Sequence, residues 1–425
     1  MSSNFKLGCG CDGYPTADHL HEKRRDRDPG ITRRQTLDML AAGGLLAAFN
    51  ATLGGFPSAA RAADDVVKIG YLPITDATAL LVAHAKGYFK DEGLEAEKPT
   101  LMRGWAPLVE GFAAGRFNLL HLLKPIPVWM RYNNNFPVKI VAWAHTNGSG
   151  VVVGSHAGVK SFADLGGKQI AVPFWYSMHN IVLQMALRNA GLTPVIKGEN
   201  EKVGEKEVNL QVLPPPEMPP ALAARKIDAY IVAEPFNALG EIRAGATMLR
   251  FTGDIWRNHP CCVVCMNEEV TKAKPEWTQK VVNAVVRGAI YASENKLEVA
   301  KILSKDGGGY LPVPAEVVER AMTKYDLATY GPTGAIKHKN WGNGRIDFNP
   351  WPYPTATEFI ADAMTKTLVA GDTAFLKGLD PKFVAKDLVE YTFVKTALGK
   401  HPQWAKDPSV PKTGDPFTRE EIVAL

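Results

Sequence analysis

Val66-Val67-Lys68-Ile69-Gly70-Tyr71-Leu72 is an apolar run of strand length, and beyond Pro73-Ile74-Thr75-Asp76 the pattern of residues 77–88 becomes helical. The same switch recurs along the chain. Strands are expected at 94–101, 118–123, 138–145, 151–154, 169–173, 208–213 and 228–233, with helices at 105–114, 179–190 and 218–226. Strands separated by helices of about 10 to 15 residues indicate parallel sheets in an α/β fold. Past Trp277 the pattern turns mostly helical, at 277–294, 315–324, 355–369 and 381–395. No fixed-period repeat is found, which excludes solenoids and propellers.

The 425 residues carry 49 Lys+Arg against 44 Asp+Glu, with 46% hydrophobic and 22% charged residues, an ordinary globular composition. Such a length favours two or three folded units. Apart from an arginine cluster near the start there is no basic block, so the charge pattern argues against a nucleic-acid partner.

Residues 1–62 read as an export address. Arg33-Arg34 precedes a mild apolar run from Met39 to Phe49, and Ala60-Arg61-Ala62 supplies an Ala-x-Ala site. That is the plan of a twin-arginine signal peptide, with cleavage expected after Ala62 and Tat machinery and a periplasmic destination implied. The apolar run is too short to span about 30 Å of hydrocarbon. Cys9, Cys11, His19 and His21 lack the usual zinc-ligand spacing and would leave with the leader. The remaining chain is close to neutral.

Several loops at expected strand ends carry polar or aromatic groups, where open parallel sheets bind ligands. Thr75-Asp76-Ala77-Thr78 reads as a helix N-cap with Thr75 or Asp76 supplying the oxygen. Trp105 opens the next helix as a core plug or a ligand wall. Lys124 precedes Pro125-Ile126-Pro127, and an ammonium beside a helix N-terminus makes an anion seat. No dinucleotide, phosphate-loop, zinc-protease or nucleophile-elbow signature is present.

The segments Tyr71-Leu72-Pro73-Ile74-Thr75-Asp76, Ala85-Lys86-Gly87-Tyr88-Phe89, Gly104-Trp105, His121-Leu122-Leu123-Lys124-Pro125, Thr146-Asn147-Gly148, Asp228-Ala229-Tyr230-Ile231-Val232-Ala233-Glu234-Pro235-Phe236 and Trp256-Arg257-Asn258-His259-Pro260 carry a resemblance. Together they are similar to the periplasmic solute-binding proteins of nitrate/sulfonate/taurine-type ABC importers, and to the nitrate- and bicarbonate-binding branch in particular. The resemblance implies a type II two-lobed periplasmic-binding-protein clamp with additional C-terminal helices. Lobe 1 would take residues 63–159 and 246–425, and lobe 2 residues 160–245. It also implies a small-molecule ligand, a membrane permease and a cytoplasmic ATPase as partners, and no catalysis or cofactor.

In the nitrate binders a Trp, a His, a Gln and a Lys surround the anion. This sequence matches the first two with Trp105 and His179, and places Ser149 and Cys262 at the other two positions. Lys124 stands where those proteins have a small hydroxyl residue, so the counter-charge is expected to have moved there. The expected ligand is therefore a small planar anion of the nitrate, bicarbonate or cyanate kind. An alternative assigns Asp76 and Glu234, with Trp105, to a planar nitrogen compound such as guanidinium or urea.

Cys261-Cys262-Val263-Val264-Cys265 is unusual, because adjacent cysteines are poorly shaped for a bridge. One reading buries three small hydrophobes. Another places a metal on Cys261, Cys262, Cys265 and His259. The cluster also loosely resembles the cysteine-rich motif of the thiamin pyrimidine precursor synthases, which implies an enzyme; its discriminating Lys–His pair is not identifiable in the sequence.

Overall fold

The computed structural model describes residues 65–198 and 201–425. The export-signal reading, the leader cysteines and histidines and the proposed cleavage site lie outside the described residues.

In chain order the strands are β1 (Ile69–Tyr71), β2 (Thr100–Leu101), β3 (Leu119–Leu123), β4 (Val138–Trp143), β5 (Thr146–Asn147), β6 (Ser149–Val153), β7 (Gln169–Val172), β8 (Thr193–Val195), β9 (Glu207–Val212), β10 (Ala229–Ala233), β11 (Thr247–Phe251), β12 (Cys262–Asn267) and β13 (Ile346–Asp347). They form a five-stranded sheet, β2-β1-β3-β12-β4, a six-stranded sheet, β11-β6-β10-β7-β9-β8, and a two-stranded pair, β13-β5. In the first sheet β1 is parallel to β2 and β3, whereas β12 runs antiparallel to β3 and β4. In the second, β10, β7, β9 and β8 are parallel and β6 is antiparallel to β10 and β11. This second sheet reaches outside residues 160–245 at both ends, through β6 and β11.

Side chains alternate across the second sheet as the strand period of two requires. Ala229 and Ile231 of β10 join Ile170, Leu183 and Leu210 in a smaller core, while Tyr230 and Val232 face the large core that includes the first sheet. The chain passes between the sheets at Asn147-Gly148, where φ is 59° and 73°. A Cβ at Gly148 would lie 2.8 Å from the Ile346 side chain and 3.1 Å from His145 Nδ1, so glycine is needed for both space and backbone hand.

The expected strand 94–101 shrinks to β2 plus a single bridge between Val67 and Ala96. The expected helix 381–395 divides into Pro381–Leu388 and Tyr391–Gly399. Tertiary pairing explains the break: Val389 bridges Ile140 on edge strand β4, and Glu390 N–H donates to Ile140 O at 2.8 Å. The helices Pro275–Glu294 and Thr78–Ala85 approach so closely that a Cβ on Gly288 would meet Ala79 O at 2.3 Å. No helix among the described residues is long and apolar enough to cross a membrane.

Arg131 joins the helix Pro125–Tyr132 to Glu268 and Asp387, at 2.9 and 2.5 Å, and Lys139 lies 3.5 Å from Glu268. Burial raises the Glu268 carboxyl, but Lys272, Arg131 and Lys139 bring it down to about 2. A carboxyl depressed by folding contributes stability that is complete above its unfolded value near 4.5 and is lost as pH falls toward about 2. Urea melts between pH 5 and pH 2 should show this slope, and Glu268→Gln should flatten it; an unchanged slope in that variant would refute the assignment.

Candidate functional site

Asp76 follows β1 on the single turn Thr75–Ala77 and is fully buried. It does not cap the helix that follows, whose N-cap is Ala77 with no side-chain bond. The N-cap expectation is thus corrected, because the Asp76 carboxylate is engaged elsewhere. Asp76 Oδ2 lies 2.8 Å from His145 Nε2 and accepts from Cys262 Sγ at 3.1 Å and Cys261 Sγ at 3.6 Å. His145 lies two residues beyond β4, Cys262 opens β12 and Cys261 immediately precedes it, so segments at three strand ends of the first sheet converge. Burial raises the Asp76 carboxyl, with His145 opposing. Burial would lower the His145 ring, but Asp76 outweighs it and raises the ring to about 10. The two groups titrate as a coupled pair, each raised from its ordinary value.

The second sheet meets this cluster through Ser149, the first residue of β6, and His179, in the first turn of the helix Met178–Asn189. That helix starts there because the N-cap Ser177 accepts from Asn180 N–H at 3.0 Å. Ser149 Oγ is 2.9 Å from His179 Nε2, and Cys261 Sγ is 3.8 Å from both. Burial would raise the Cys261 thiol, but Cys262, His179 and His145 bring it well below 9.0. Burial and its neighbours push Cys262 well above 9.0.

Trp105 opens the helix Trp105–Ala113 and packs edge-on against His121, ring centroids 5.5 Å apart. His121 Nε2 accepts from Leu72 N–H at 3.0 Å, which leaves the ring proton on Nδ1. Burial, with His145 adding to it, lowers His121 to about 3, so it is neutral. Trp105 Nε1, His121 Nδ1 and His179 Nδ1 are buried without a hydrogen-bond partner among the described residues.

The structure thus brings together Asp76, Ser149, His179 and Cys262 of the expected set, adds Cys261 and His145, and places Trp105 beside His121. Two expected residues lie in other surroundings. Lys124 is fully buried with Nζ 4.9 Å from the Trp143 ring centroid, and its charge interactions are with Glu421 and Arg419. Burial pushes its ammonium well below 10.5, and Nζ has no hydrogen-bond partner among the described residues. Glu234 accepts from Arg345 Nε and from Ala238 N–H, at 2.7 and 3.0 Å, as part of a buried ion-pair network. The metal set read from sequence is also corrected. His259 Nε2 is 2.7 Å from Thr252 Oγ1, and Cys265 lies three residues along β12; the residues whose ligand atoms gather are Asp76, His145, Cys261 and Cys262.

Sequence reasoning passed over His145 and His121. The strand-end rule that singled out Asp76 applies equally to His145, and a lone His inside the apolar run Leu119-Leu120-His121-Leu122-Leu123 is itself a signal.

Two α/β sheets joined by crossing segments, with polar strand ends meeting at a buried seam, define the periplasmic-binding-protein fold. The structure superimposes on the crystal structure of the periplasmic nitrate-binding protein NrtA from Synechocystis PCC 6803 with a TM-score of 0.67, at 19% identity, covering 82% of this chain and 91% of that one. A family model described as NMT1-like matches residues 60–304, more than half of the chain, and the chain belongs to that family. It is 27% identical over 281 residues to a nitrate/nitrite binding protein NrtA of Nostoc sp. strain PCC 7120, a match covering 61% of each chain. It is also 23% identical over 256 residues to a bicarbonate transport ATP-binding protein CmpC of Synechocystis sp. strain PCC 6803, covering 56% of this chain and 37% of that one. The matched region thus spans about three fifths of the first relative and just over a third of the second.

Proposed function

We propose that this protein is the extracytoplasmic solute-binding component of an ABC importer, exported through its twin-arginine leader, and that it takes a small planar anion of the nitrate, bicarbonate or cyanate kind at the seam between its sheets. A membrane permease and a cytoplasmic ATPase would be its partners, and it would catalyse nothing. The observation that carries the reading is the set of buried, unpartnered ring nitrogens at Trp105, His121 and His179. Leaving buried donors unsatisfied costs about 1–3 kcal/mol each, and a ligand rich in acceptor oxygens recovers that cost. With Lys124 turned to Trp143, hydrogen bonding would hold the anion, with no fixed counter-charge.

The competing cation reading needs Asp76 and Glu234 free to pair. Glu234 is already bonded to Arg345, and Asp76 Oδ2 to His145 and Cys262, which leaves Asp76 Oδ1 alone where that reading needs two free carboxylates. The synthase-like reading needs a lysine beside the cysteines, whereas the Lys124 side chain interacts with Trp143, Glu421 and Arg419.

A thermal-shift screen of the folded chain against nitrate, nitrite, bicarbonate, cyanate, taurine, urea and guanidinium tests the proposal. A solute that binds only the native state at a hundredfold excess over Kd adds about 2.7 kcal/mol of stability. An anion is expected to raise Tm. A shift with guanidinium or urea alone would replace the anion with a nitrogen compound.

A further inference from the structure

Asp76, His145, Cys261 and Cys262 each present one ligand atom, and all four atoms lie within 4.8 Å of one another, fully buried. We infer that this cluster is a binding site for one thiophilic d10 cation, Zn2+ or Cu+, held by Cys261 Sγ, Cys262 Sγ, His145 Nε2 and an oxygen of Asp76.

The donor set is the first argument. Two thiols with an imidazole select borderline-to-soft metals and reject Mg2+ and Ca2+, which require oxygen shells. Spacing is the second. Metal–ligand bonds of about 2.0–2.3 Å in a tetrahedron set ligand atoms about 3.3–3.8 Å apart. Here Oδ2 lies 3.6 Å from Cys261 Sγ, 3.1 Å from Cys262 Sγ and 2.8 Å from His145 Nε2. The short Oδ2 contacts would open and separations of up to 4.8 Å would close, each by about 1 Å or less, to complete the sphere. Placement is the third. The ligands come from the segments that follow β1 and β4 and from the start of β12, three strands of a single hydrogen-bonded sheet, so the sphere requires no closure between the two sheets. A fourth observation is independent of these: Asp76 Oδ1 is buried without a hydrogen-bond partner among the described residues, an acceptor already available to a cation.

Ligation requires both sulfurs as thiolates and His145 Nε2 without a proton, so whatever protons these groups carry are released to solvent and uptake tightens as pH rises. Cys261 Sγ also faces Ser149 and His179 at 3.8 Å, so the bound ion would border the seam proposed for the solute. The inference does not depend on which solute, if any, occupies that seam.

The test uses the full chain, reduced and stripped with chelator, then titrated separately with Co2+ as a spectroscopic probe, with Zn2+, and with Cu+ under anaerobic conditions. Expected are one equivalent bound, a thiolate-to-Co2+ charge-transfer band in the near ultraviolet, and displacement of that band by Zn2+ or Cu+, whichever the site prefers. Cys262→Ser and His145→Ala should each weaken binding tenfold or more, whereas Cys265→Ser should keep one equivalent and the same band. Absence of the charge-transfer band in the unsubstituted protein would overturn the inference without reliance on any variant. Retention of full affinity in the Cys261→Ser/Cys262→Ser double variant, its fold checked by circular dichroism, would overturn it too.

Discussion

Replacing Arg345 with alanine is expected to cost about 3–5 kcal/mol of stability, the usual penalty for removing one partner of a buried ion pair. Arg345 is fully buried and its Nη2 lies 2.7 Å from Glu234 Oε1 and 2.9 Å from Glu241 Oε2. Its Nη1 donates to Tyr330 OH at 2.9 Å and to Lys324 O at 3.0 Å. Truncation strands the buried Glu234 carboxylate, while Glu241 keeps Arg320 and Tyr330 OH, and the uncompensated charge at Glu234, more than the lost attraction, dominates the cost. The effect should spread beyond the pair. Glu234 directly follows β10 and its carbonyl accepts from Thr75 N–H at 2.8 Å, while Arg345 adjoins β13, which pairs with β5 beside the crossing at Asn147-Gly148. Urea unfolding measures the loss, and the triple variant Arg345→Met/Glu234→Gln/Glu241→Gln should recover much of it. A loss below about 1 kcal/mol for Arg345→Ala would show that the network is not a structural rivet.

The second large effect concerns the ligand. His179→Ala and Trp105→Phe should each weaken binding of the responsive anion tenfold or more, since a hydrogen bond to a charged group contributes about 1.5–3 kcal/mol and 1.4 kcal/mol is a factor of ten. Trp105→Phe keeps an aromatic ring against His121 and removes only the indole N–H donor, so the fold should persist. Titration calorimetry provides the measurement. Unchanged affinity in both variants would move the solute away from this seam.

Much of the fold was legible because strand-to-helix switching depends on local periodicity. Residues 118–123, 169–173 and 228–233 correspond to β3, β7 and β10 within a residue or two, and the helix at 105–114 to Trp105–Ala113. What failed was set by distant partners. The division of the 381–395 helix depends on Ile140, about 250 residues away, and β6 and β11 join the second sheet by pairing with β10 and with each other. The site shows the same division. Asp76, Ser149, His179 and Cys262 could be selected from strand ends, helix starts and family likeness, yet the partner that occupies Glu234 sits 111 residues away. Lys124 is the sharpest case. A cation beside a helix start suggests an anion seat in one dimension, but in three dimensions its amine lies in an apolar setting against Trp143, where burial disfavours the charge.

The central claim, that a small anion is held at the seam by ring N–H donors including Trp105, is tested most directly by indole N–H NMR. The chain has nine tryptophans, and Trp105→Phe assigns one resonance. Adding the anion that raises Tm should shift the Trp105 indole proton downfield in proportion to occupancy, the signature of a new hydrogen bond to an anionic acceptor. Saturation of binding with that resonance unmoved would contradict the account.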